Sequence, residues 1–232
     1  MKVVVITGGK SGIGSATVDI FLNNNYQVVV LDKEEVGKSH PKLLYYNCDI
    51  SDEHMVKNVF EVIYKKFCKI DVLINCAGIQ ILEEWHSIST VHWNKVIKNN
   101  LYGTFYCLNQ ATKYLNRGGA VVNVTSIHAK SPRINNYPYD ISKAGIELLG
   151  KELAIELGRK GIRVNNVAPG CIDTPMNTDI DLTSQVIRDK IPIGRAGQPE
   201  EVAKVIYFLS TDSSSYIHGV TLTVDGGRNL IK

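Results

Sequence analysis

The amino-acid sequence predicts a doubly wound α/β fold built around one parallel sheet. Short apolar runs alternate along the chain with amphipathic segments of helical spacing. The apolar runs are nearly continuous in Val, Ile and Leu, as in 28–31, which is typical of strands buried on both faces of a sheet. Neither a linker-like stretch nor an internal repeat interrupts the pattern, so residues 1–232 are expected to form a single domain.

The alternation predicts the elements in chain order. Strands are expected at 2–7, 26–31, 43–47, 70–75, 119–125, 162–168 and 220–224. Helices are expected near 12–24, 53–66, 90–116, 138–159 and 199–210. On the fourth helix, apolar residues that predict one buried stripe recur at helical spacing, namely Ile141, Ala144, Leu148, Ala154 and Ile155.

Composition disfavours several other classes of protein. Hydrophobic residues make up 44% and charged residues 21%, as in ordinary globular chains. The net charge is only +3 and the basic residues are scattered, which disfavours a nucleic-acid surface. The five cysteines form no CxxC pair, so neither a metal site nor a disulfide framework is expected. Because no apolar run has the length of a signal or membrane segment, a soluble cytoplasmic protein without membrane contact is expected.

The turn between the first strand and the first helix is rich in glycine. Glycine permits a tight turn with positive φ and lets the backbone approach a pyrophosphate. The helix N-terminus adds free N–H groups and a partial positive charge. Taken alone, the turn also fits a plain strand-to-helix connection. The candidate phosphate-binding residues are Gly8, Ser11, Gly12, Ile13 and Gly14.

Asp32 ends the second predicted strand, where a carboxylate can accept hydrogen bonds from the ribose of a dinucleotide. The same carboxylate repels a 2′-phosphate, so NAD(H) is favoured and NADP(H) is less favoured. Lys10 and Lys33 lie close enough in sequence to weaken that preference. The alternative for Asp32 is a solvated residue at a strand end.

Tyr139 and Lys143 lie one turn apart on the same face of the fourth predicted helix. A neighbouring ammonium favours phenolate, and a phenol tuned towards neutral pH can give or take a hydroxyl proton. Such a pair is also common by chance on a helix surface. Its surroundings favour the catalytic interpretation: Ser126 ends the fifth strand and can hold a substrate oxygen, and Asn100 can bind a water that feeds protons to Lys143.

In these motifs and their order, the chain resembles the short-chain dehydrogenase/reductase family over nearly its full length. The matching segments are Thr7–Gly14, Asp49, Asn75–Gly78, Asn100, Ser126, Tyr139, Lys143, Asn165–Gly170, Thr174, Pro192–Arg195 and Val224–Gly227. Three positions depart from the family pattern, because Cys76 replaces an Asn, Thr125 replaces a Ser, and Gly9 stands where Ala or Ser is frequent. The short stretch between the second and third strands predicts that one helix is missing or reduced there.

The resemblance implies a seven-stranded Rossmann-like domain, often dimeric or tetrameric, with NAD(P)(H) as cofactor. The implied catalytic tetrad is Asn100, Ser126, Tyr139 and Lys143. In it the tyrosine is the acid/base, the serine orients the substrate, the lysine binds the nicotinamide ribose and lowers the tyrosine pKa, and the asparagine closes a water relay.

The resemblance also implies cofactor contacts. Asp49 and Ile50 correspond to adenine contacts, and Ile172 and Thr174 to residues that hold the carboxamide. The remaining implied cofactor residues line the ribose, stiffen the sheet or follow the sixth strand, namely Asn75, Ala77, Gly78, Pro169 and Gly170, in addition to Tyr139 and Lys143.

A substrate lid is expected at about 171–195, and it is short and fairly polar. This favours a small polar alcohol or ketone substrate of the sugar, polyol or hydroxy-acid type. Arg133 can meet a carboxylate and His128 can line the pocket, although both also fit ordinary loop positions. The leading hypothesis is an NAD(H)-dependent oxidoreductase that forms a homodimer or homotetramer. The alternative is a catalytically silent NAD(H)-binding regulatory or scaffold protein on the same fold.

Overall fold

Seven parallel strands form one sheet in the computed structural model, which describes residues 1–34, 37–177, 181 and 184–231. The strands are β1 Val3–Thr7, β2 Gln27–Asp32, β3 Leu43–Asn47, β4 Ile70–Asn75, β5 Leu115–Val124, β6 Arg163–Pro169 and β7 Thr221–Val224. Their order across the sheet is β3-β2-β1-β4-β5-β6-β7. The predicted fold class, with its seven parallel strands, is confirmed.

Helices cover both faces of the sheet. They are α1 Gly12–Asn23, α2 Glu53–Phe67, α3 Thr90–Ile97, α4 Gly103–Ala111, α5 Tyr137–Gly158, α6 Gln185–Lys190 and α7 Pro199–Ser210. α1 and α7 pack on one face, and α2, α4 and α5 pack on the other. Between β2 and β3, the described residues 33–34 and 37–42 form no helix, in agreement with the shortened connection predicted there.

The first strand shows why the apolar runs are continuous. Val3 and Val5 belong to the core under α2, α4 and α5, whereas Val4 and Ile6 belong to the core under α1 and α7. Successive side chains of a strand point to opposite faces, and here both faces are covered by helices. Each residue of the strand is therefore buried.

The chain reverses its direction of travel across the sheet at β1. It proceeds from β1 to β2 and β3 on one side, then returns to place β4 on the other side of β1. In doubly wound sheets, ligands bind outside the carboxyl ends of the strands at such a reversal. This topology places the glycine turn after β1 next to the end of β4.

The third predicted helix, 90–116, is divided in the structure. α3 ends at Ile97, a π-helical turn spans Lys98–Tyr102, and α4 ends at Ala111. β5 begins at Leu115 instead of 119, and a register shift occurs where it pairs with β4. Apolar spacing alone does not distinguish an α-turn from a π-turn, and the early start of β5 depends on its pairing with a distant strand.

The buried stripe predicted on the fourth helix is confirmed only at Ala154, which is buried in the core. Its other four members, Ile141, Ala144, Leu148 and Ile155, are exposed on α5, and Ile155 is 75% exposed. The helix packs on the sheet through another face, on which Ile146 and Leu157 are buried. The sequence shows that α5 has an apolar stripe, but it does not show whether the sheet or another molecule covers that stripe.

Candidate active site

A cavity of about 880 Å³ opens at the carboxyl ends of the strands, beside the reversal between β1 and β4. Most of the predicted site residues line it, namely Gly8, Ser11, Gly12, Ile13, Gly14, Asp32, Ile50, Ala77, Gly78, Ser126, His128, Arg133, Tyr139, Lys143, Pro169, Gly170, Ile172 and Thr174. Asp49, Asn75 and Asn100 lie next to lining residues and not in the wall itself. The volume lies within the range of small-molecule and cofactor pockets.

The glycine turn forms a cradle in this cavity. Gly8 and Gly12 have φ angles of +69° and +52°, a region that favours glycine. A Cβ on Gly8 would lie 2.7 Å from the Cα of Ala77, so the close approach of two backbones also requires glycine there. Within the described part of the chain, no side chain caps the N-terminus of α1 and its first turn has no acidic residue. The free N–H groups and the positive end of the helix dipole fit a pyrophosphate.

Asp32 and the lysines beside it set the charge at the end of β2. The Asp32 carboxylate accepts hydrogen bonds from the backbone amides of Lys10 at 3.0 Å and Glu34 at 3.2 Å. The Lys10 ammonium pairs with the Glu34 carboxylate, and Lys33 pairs with Asp49 at 3.0 Å. Each lysine that flanks Asp32 therefore has a carboxylate partner.

The Asp49 carboxylate is bound by Ser51 and Lys33 and does not line the cavity. The amide and hydroxyl of Ser51 donate to its Oδ1 at 2.9 and 2.7 Å. Burial raises the pKa of this carboxyl, but the bonds from Ser51 and Lys33 outweigh burial and bring the pKa below its usual value. Its neighbours Cys48 and Ile50 line the cavity. Ile50 thus lines the cavity, whereas Asp49 holds the loop after β3, and the adenine contacts of both residues stay predictions.

Three asparagines link the central strands beneath the cavity. Asn75, Asn123 and Asn166 are register partners on β4, β5 and β6, and all three are buried. The Nδ2 of Asn75 donates to Asn123 Oδ1 at 2.9 Å, and the Nδ2 of Asn123 donates to Asn166 Oδ1 at 3.0 Å. This ladder of amides ties the central strands together, as expected of a residue that stiffens the sheet. Asn75 does not itself line the cavity.

Thr7 holds the cavity wall, although it is absent from the predicted site residues. Its Oγ1 accepts hydrogen bonds from the amides of Cys76 and Ala77, both at 3.1 Å. These bonds fix the segment after β4 against the glycine turn after β1. The available signal in the sequence is a single hydroxyl at the end of an apolar strand, but its partners are distant in the chain.

Tyr139, Ser126 and Lys143 converge on the same part of the cavity. Tyr139 is 8% exposed, and it lies in the first turn of α5. Burial raises the pKa of the Tyr139 phenol to about 12, while a hydrogen bond with the Ser126 side chain lowers it. The Ser126 hydroxyl also accepts a hydrogen bond from the His128 amide at 3.1 Å, which fixes its position.

Lys143 is buried with its ammonium in the same region. Its Nζ donates to the carbonyl of Val124 at 2.8 Å and lies 5.5 Å from the centroid of the Tyr139 ring. Burial lowers the pKa of Lys143 to about 8, and the Cys76 thiol opposes that change. Among the chain's own groups, burial of the phenol has the largest effect on its pKa. The lowering of this pKa by Lys143 stays a prediction.

Asn100 lies in the π-helical turn and is fully buried. Its Nδ2 donates to the Ile79 carbonyl at 2.9 Å and to the Ser142 hydroxyl at 3.1 Å, and its Oδ1 accepts from the Ile79 amide at 2.8 Å. A Cβ at Gly78 would lie 3.6 Å from this Oδ1 and 3.3 Å from Lys143 Nζ, so the two groups flank one glycine. Both hydrogens of the Asn100 side-chain amide are already donated, so this side chain holds the adjoining cavity wall in place. The predicted contact with a water therefore requires another atom of Asn100.

The predicted substrate residues lie on the segment between β5 and α5. The His128 Nδ1 is 2.8 Å from the Ser131 carbonyl oxygen, and the Arg133 amide donates to the Asp140 carboxylate at 2.8 Å. Both residues line the cavity. The predicted lid at 171–195 lies partly outside the described residues. Its described part supplies polar and apolar lining, namely Thr174, Met176, Asn177, Asp181, Ser184, Ile187 and Lys190.

Among the described residues, no helix combines the length and the apolar character that a membrane span requires. The His, Cys, Asp and Glu side chains of these residues form no group of three or more that could hold a metal ion.

Comparison with known proteins agrees with this geometry. A family model described as enoyl-(acyl carrier protein) reductase matches residues 8–229. The 3-oxoacyl-[acyl-carrier-protein] reductase FabG of Thermotoga maritima is 37% identical, over 97% of this chain and 97% of that protein. The ligand-free structure of aldohexose dehydrogenase (AldT) from Thermoplasma acidophilum has a TM-score of 0.94 at 31% identity, covering 100% of this chain and 95% of that chain. The structure of ElxO with NADP bound has a TM-score of 0.92 at 33% identity, covering 99% of both chains.

The parallel sheet, the glycine cradle and the buried tyrosine–lysine pair define an NAD(P)-linked oxidoreductase that acts on CH–OH or C=O groups. The chain belongs to the short-chain dehydrogenase/reductase family, since it shares sequence and fold with these relatives over nearly its whole length.

Proposed function

We propose that this chain transfers a hydride between NAD(H) and the alcohol or ketone carbon of a small polar substrate. The observation that carries the proposal is the convergence of Ser126, Tyr139 and Lys143 in a cavity whose other end is the glycine cradle. A protein that only binds a nucleotide needs the cradle but has no need of a buried phenol and ammonium together.

The chain's own groups supply proton transfer and orientation. When bound, the nicotinamide donates or accepts the hydride. The Tyr139 hydroxyl gives a proton to the substrate oxygen in reduction and takes one in oxidation. The Ser126 hydroxyl holds that oxygen beside the phenol. Lys143, fixed by the Val124 carbonyl, presents its ammonium to the nicotinamide ribose and to the phenol.

The charges around Asp32 support NAD(H) as the preferred cofactor. A 2′-phosphate at the end of β2 would meet the Asp32 carboxylate, while the nearby cations of Lys10 and Lys33 are engaged by Glu34 and Asp49. A bare ribose hydroxyl instead finds a carboxylate acceptor. ElxO, a relative at 33% identity, has NADP bound in its structure. Family membership therefore does not decide between the two cofactors, and the proposed preference for NAD(H) depends on the charges around Asp32.

The cavity lining supports a small polar substrate. His128 and Arg133 lie on one side, and the described part of the lid adds Asn177, Asp181 and Ser184. Hydroxyl, amide and charged groups of this kind pair with the oxygens of a sugar, polyol or hydroxy acid. The similarity to an aldohexose dehydrogenase favours the sugar class, and the similarity to a 3-oxoacyl-[acyl-carrier-protein] reductase makes an oxoacyl thioester the main competitor.

The exposed apolar stripe on α5 supports the proposal of a homodimer or homotetramer. Ile141, Leu148 and Ile155 recur along one side of a long helix and are exposed in the isolated chain. Exposed apolar groups in such a row are typical of an interface with another copy. Sedimentation of the wild type and of Leu148→Glu tests this, since a monomeric wild type would contradict the proposal. A cytoplasmic location stays a prediction.

Turnover of a substrate panel tests the proposed reaction. The panel contains aldoses, polyols, hydroxy acids, their oxidised forms and an oxoacyl thioester, each followed by the absorbance of NADH and of NADPH. Tyr139→Phe is expected to abolish turnover and to leave NADH affinity within about twofold, because only the proton donor is lost. Tyr137→Phe is the matched control, since the Tyr137 ring packs edge-to-face against Trp85, whereas the Lys143 ammonium lies over the Tyr139 ring. Tight NADH binding without turnover of any substrate would instead favour the catalytically silent alternative.

A further inference from the structure

A buried carboxylate lies directly beside the proposed acid/base. Asp140 follows Tyr139 in the first turn of α5 and is only 7% exposed. Its Oδ1 accepts a hydrogen bond from Asn136 Nδ2 at 2.7 Å, and its Oδ2 accepts one from the Arg133 amide at 2.8 Å. Both donors belong to the segment that precedes the helix, so the carboxylate ties that segment to the catalytic helix.

The segment held in this way forms part of the cavity wall. Pro132 and Arg133 line the same cavity as Ser126 and Tyr139. The Asn136 amide bonds back to the Arg133 carbonyl at 3.3 Å, which closes the turn on itself. We name residues 131–136 the wall segment, because two of its members face the cavity.

The wall segment also connects to a second stretch that lines the cavity. Asn135 has a φ of +64°, the left-handed region that most side chains avoid, and its carbonyl accepts a hydrogen bond from the Glu83 amide at 2.9 Å. Gln80, three residues before Glu83, lines the cavity. A shift of the wall segment would therefore be passed on to this second stretch.

If Asp140 only stabilised the start of the helix, its carboxylate would not need to be buried. An acidic residue in the first turn of a helix is favourable without being buried. Burial raises the pKa of Asp140, and the Arg133 amide and the Asn136 side chain oppose that effect. The buried Asp140 carboxylate is bonded through both of its oxygens to the wall segment. Such charge-assisted hydrogen bonds are stronger and more directional than those that an amide or a hydroxyl would accept.

We propose that Asp140 is a positioning residue that sets the substrate end of the cavity by holding the wall segment at a fixed place relative to Tyr139. It acts through Arg133 and Asn136 and does not itself contact the reacting atoms. This inference rests on the proposed oxidoreductase function and adds a determinant of substrate binding to it. The dinucleotide end of the cavity has no bond to Asp140 among the described contacts.

The test compares Asp140→Asn with Glu152→Gln. Asp140→Asn keeps the shape of the side chain but places an NH₂ group against one of the two donors. Glu152→Gln removes the same charge from an exposed position on the same helix and is the matched control. In Asp140→Asn we expect the KM of the substrate to rise about tenfold or more, with the KM of the dinucleotide changed less than about twofold. Glu152→Gln should leave both constants unchanged.

Hydrogen exchange of the Arg133 amide gives a readout that does not depend on turnover. This amide donates to Asp140, so its exchange should become much faster in Asp140→Asn and stay slow in Glu152→Gln. Fast exchange in Asp140→Asn supports the positioning role even if the wild type reduces no carbonyl, in which case only the proposed function fails. The inference is overturned if exchange is unchanged in an active enzyme, or if the KM of substrate and dinucleotide rise equally.

Discussion

The Lys143 ammonium lies 5.5 Å from the centroid of the Tyr139 ring, one turn further along the same helix. The ammonium also donates to the carbonyl of Val124 at the end of β5, so it joins the catalytic helix to the sheet. Burial disfavours the charged form of both groups: it raises the pKa of the Tyr139 phenol to about 12 and lowers the pKa of the Lys143 ammonium to about 8.

Lys143→Met is expected to stabilise the ligand-free protein while abolishing turnover. The folded-state pKa of about 8 lies below the ordinary value of 10.5, so the folded chain binds fewer protons than the unfolded chain between these values. Stability of the wild type should then rise with pH across this window, and below pH ~8 the buried charge carries its full cost of about 3 kcal/mol.

The gain in the free energy of unfolding near pH ~7 should be about 1–3 kcal/mol, because the lost bond to Val124 offsets part of it. Urea denaturation at several pH values measures the gain and its disappearance above pH ~10. Lys204→Met, at an exposed site on α7, is the control and should show neither effect. A less stable Lys143→Met variant near neutral pH would contradict the argument.

Glu34→Gln is expected to shift cofactor preference towards NADP(H). The substitution releases the Lys10 ammonium, which then offers a cation beside Asp32 to a 2′-phosphate. The affinity for NADPH should rise about two- to fivefold, as befits an exposed ion pair, with little change for NADH. Titration of both reduced cofactors by fluorescence measures the ratio. Asp19→Asn breaks the comparable exposed pair with Lys38 and should leave the ratio unchanged.

How far the site could be predicted depends on whether each feature is local. Tyr139 and Lys143 lie on one helical turn, so their proximity follows from spacing alone. Thr7 and Asn75 act through partners about seventy and fifty positions away in the chain, which periodicity does not reveal. Asp140 reads as an ordinary helix-start acid until the fold buries it against the wall segment.

The fold class was predictable for a similar reason, and the face that each helix buries was not. Continuous apolar strands that alternate with amphipathic segments are compatible with few folds other than a parallel sheet covered by helices. Leu148 points outward because of the way in which α5 packs on that sheet. Closely packed residues such as Gly150 determine this packing. Close packing at one helix position thus overrides the apparent stripe.

Gly150→Ala is expected to destabilise the protein, against the usual preference for alanine within a helix. A Cβ at this position would lie 2.4 Å from Asn166 Oδ1 and 2.9 Å from Asn123 Nδ2, so the helix must move away from the asparagine ladder. The helical preference of about 1 kcal/mol for alanine is smaller than the ~1–3 kcal/mol of overpacking. Urea denaturation checks the sign. Gly37→Ala, where a Cβ meets no described atom within 4 Å, should be nearly neutral, and a stabilised Gly150→Ala would disprove the steric argument.

Ser126→Ala is expected to slow alcohol oxidation by about a hundredfold or more and to move its pH dependence. The Tyr139 phenol must be deprotonated to accept the hydroxyl proton, and the hydrogen bond with Ser126 lowers its pKa. Removing that bond raises the pKa further, so the rising limb of kcat/KM against pH should shift to higher pH, whereas loss of a purely steric contact would lower the rate equally at every pH. Ser131→Ala, an exposed serine on the same segment, is the control and should retain the wild-type profile. A limb that moves to lower pH in Ser126→Ala would show that the serine raises the pKa of the phenol in the cofactor complex, contrary to the structure.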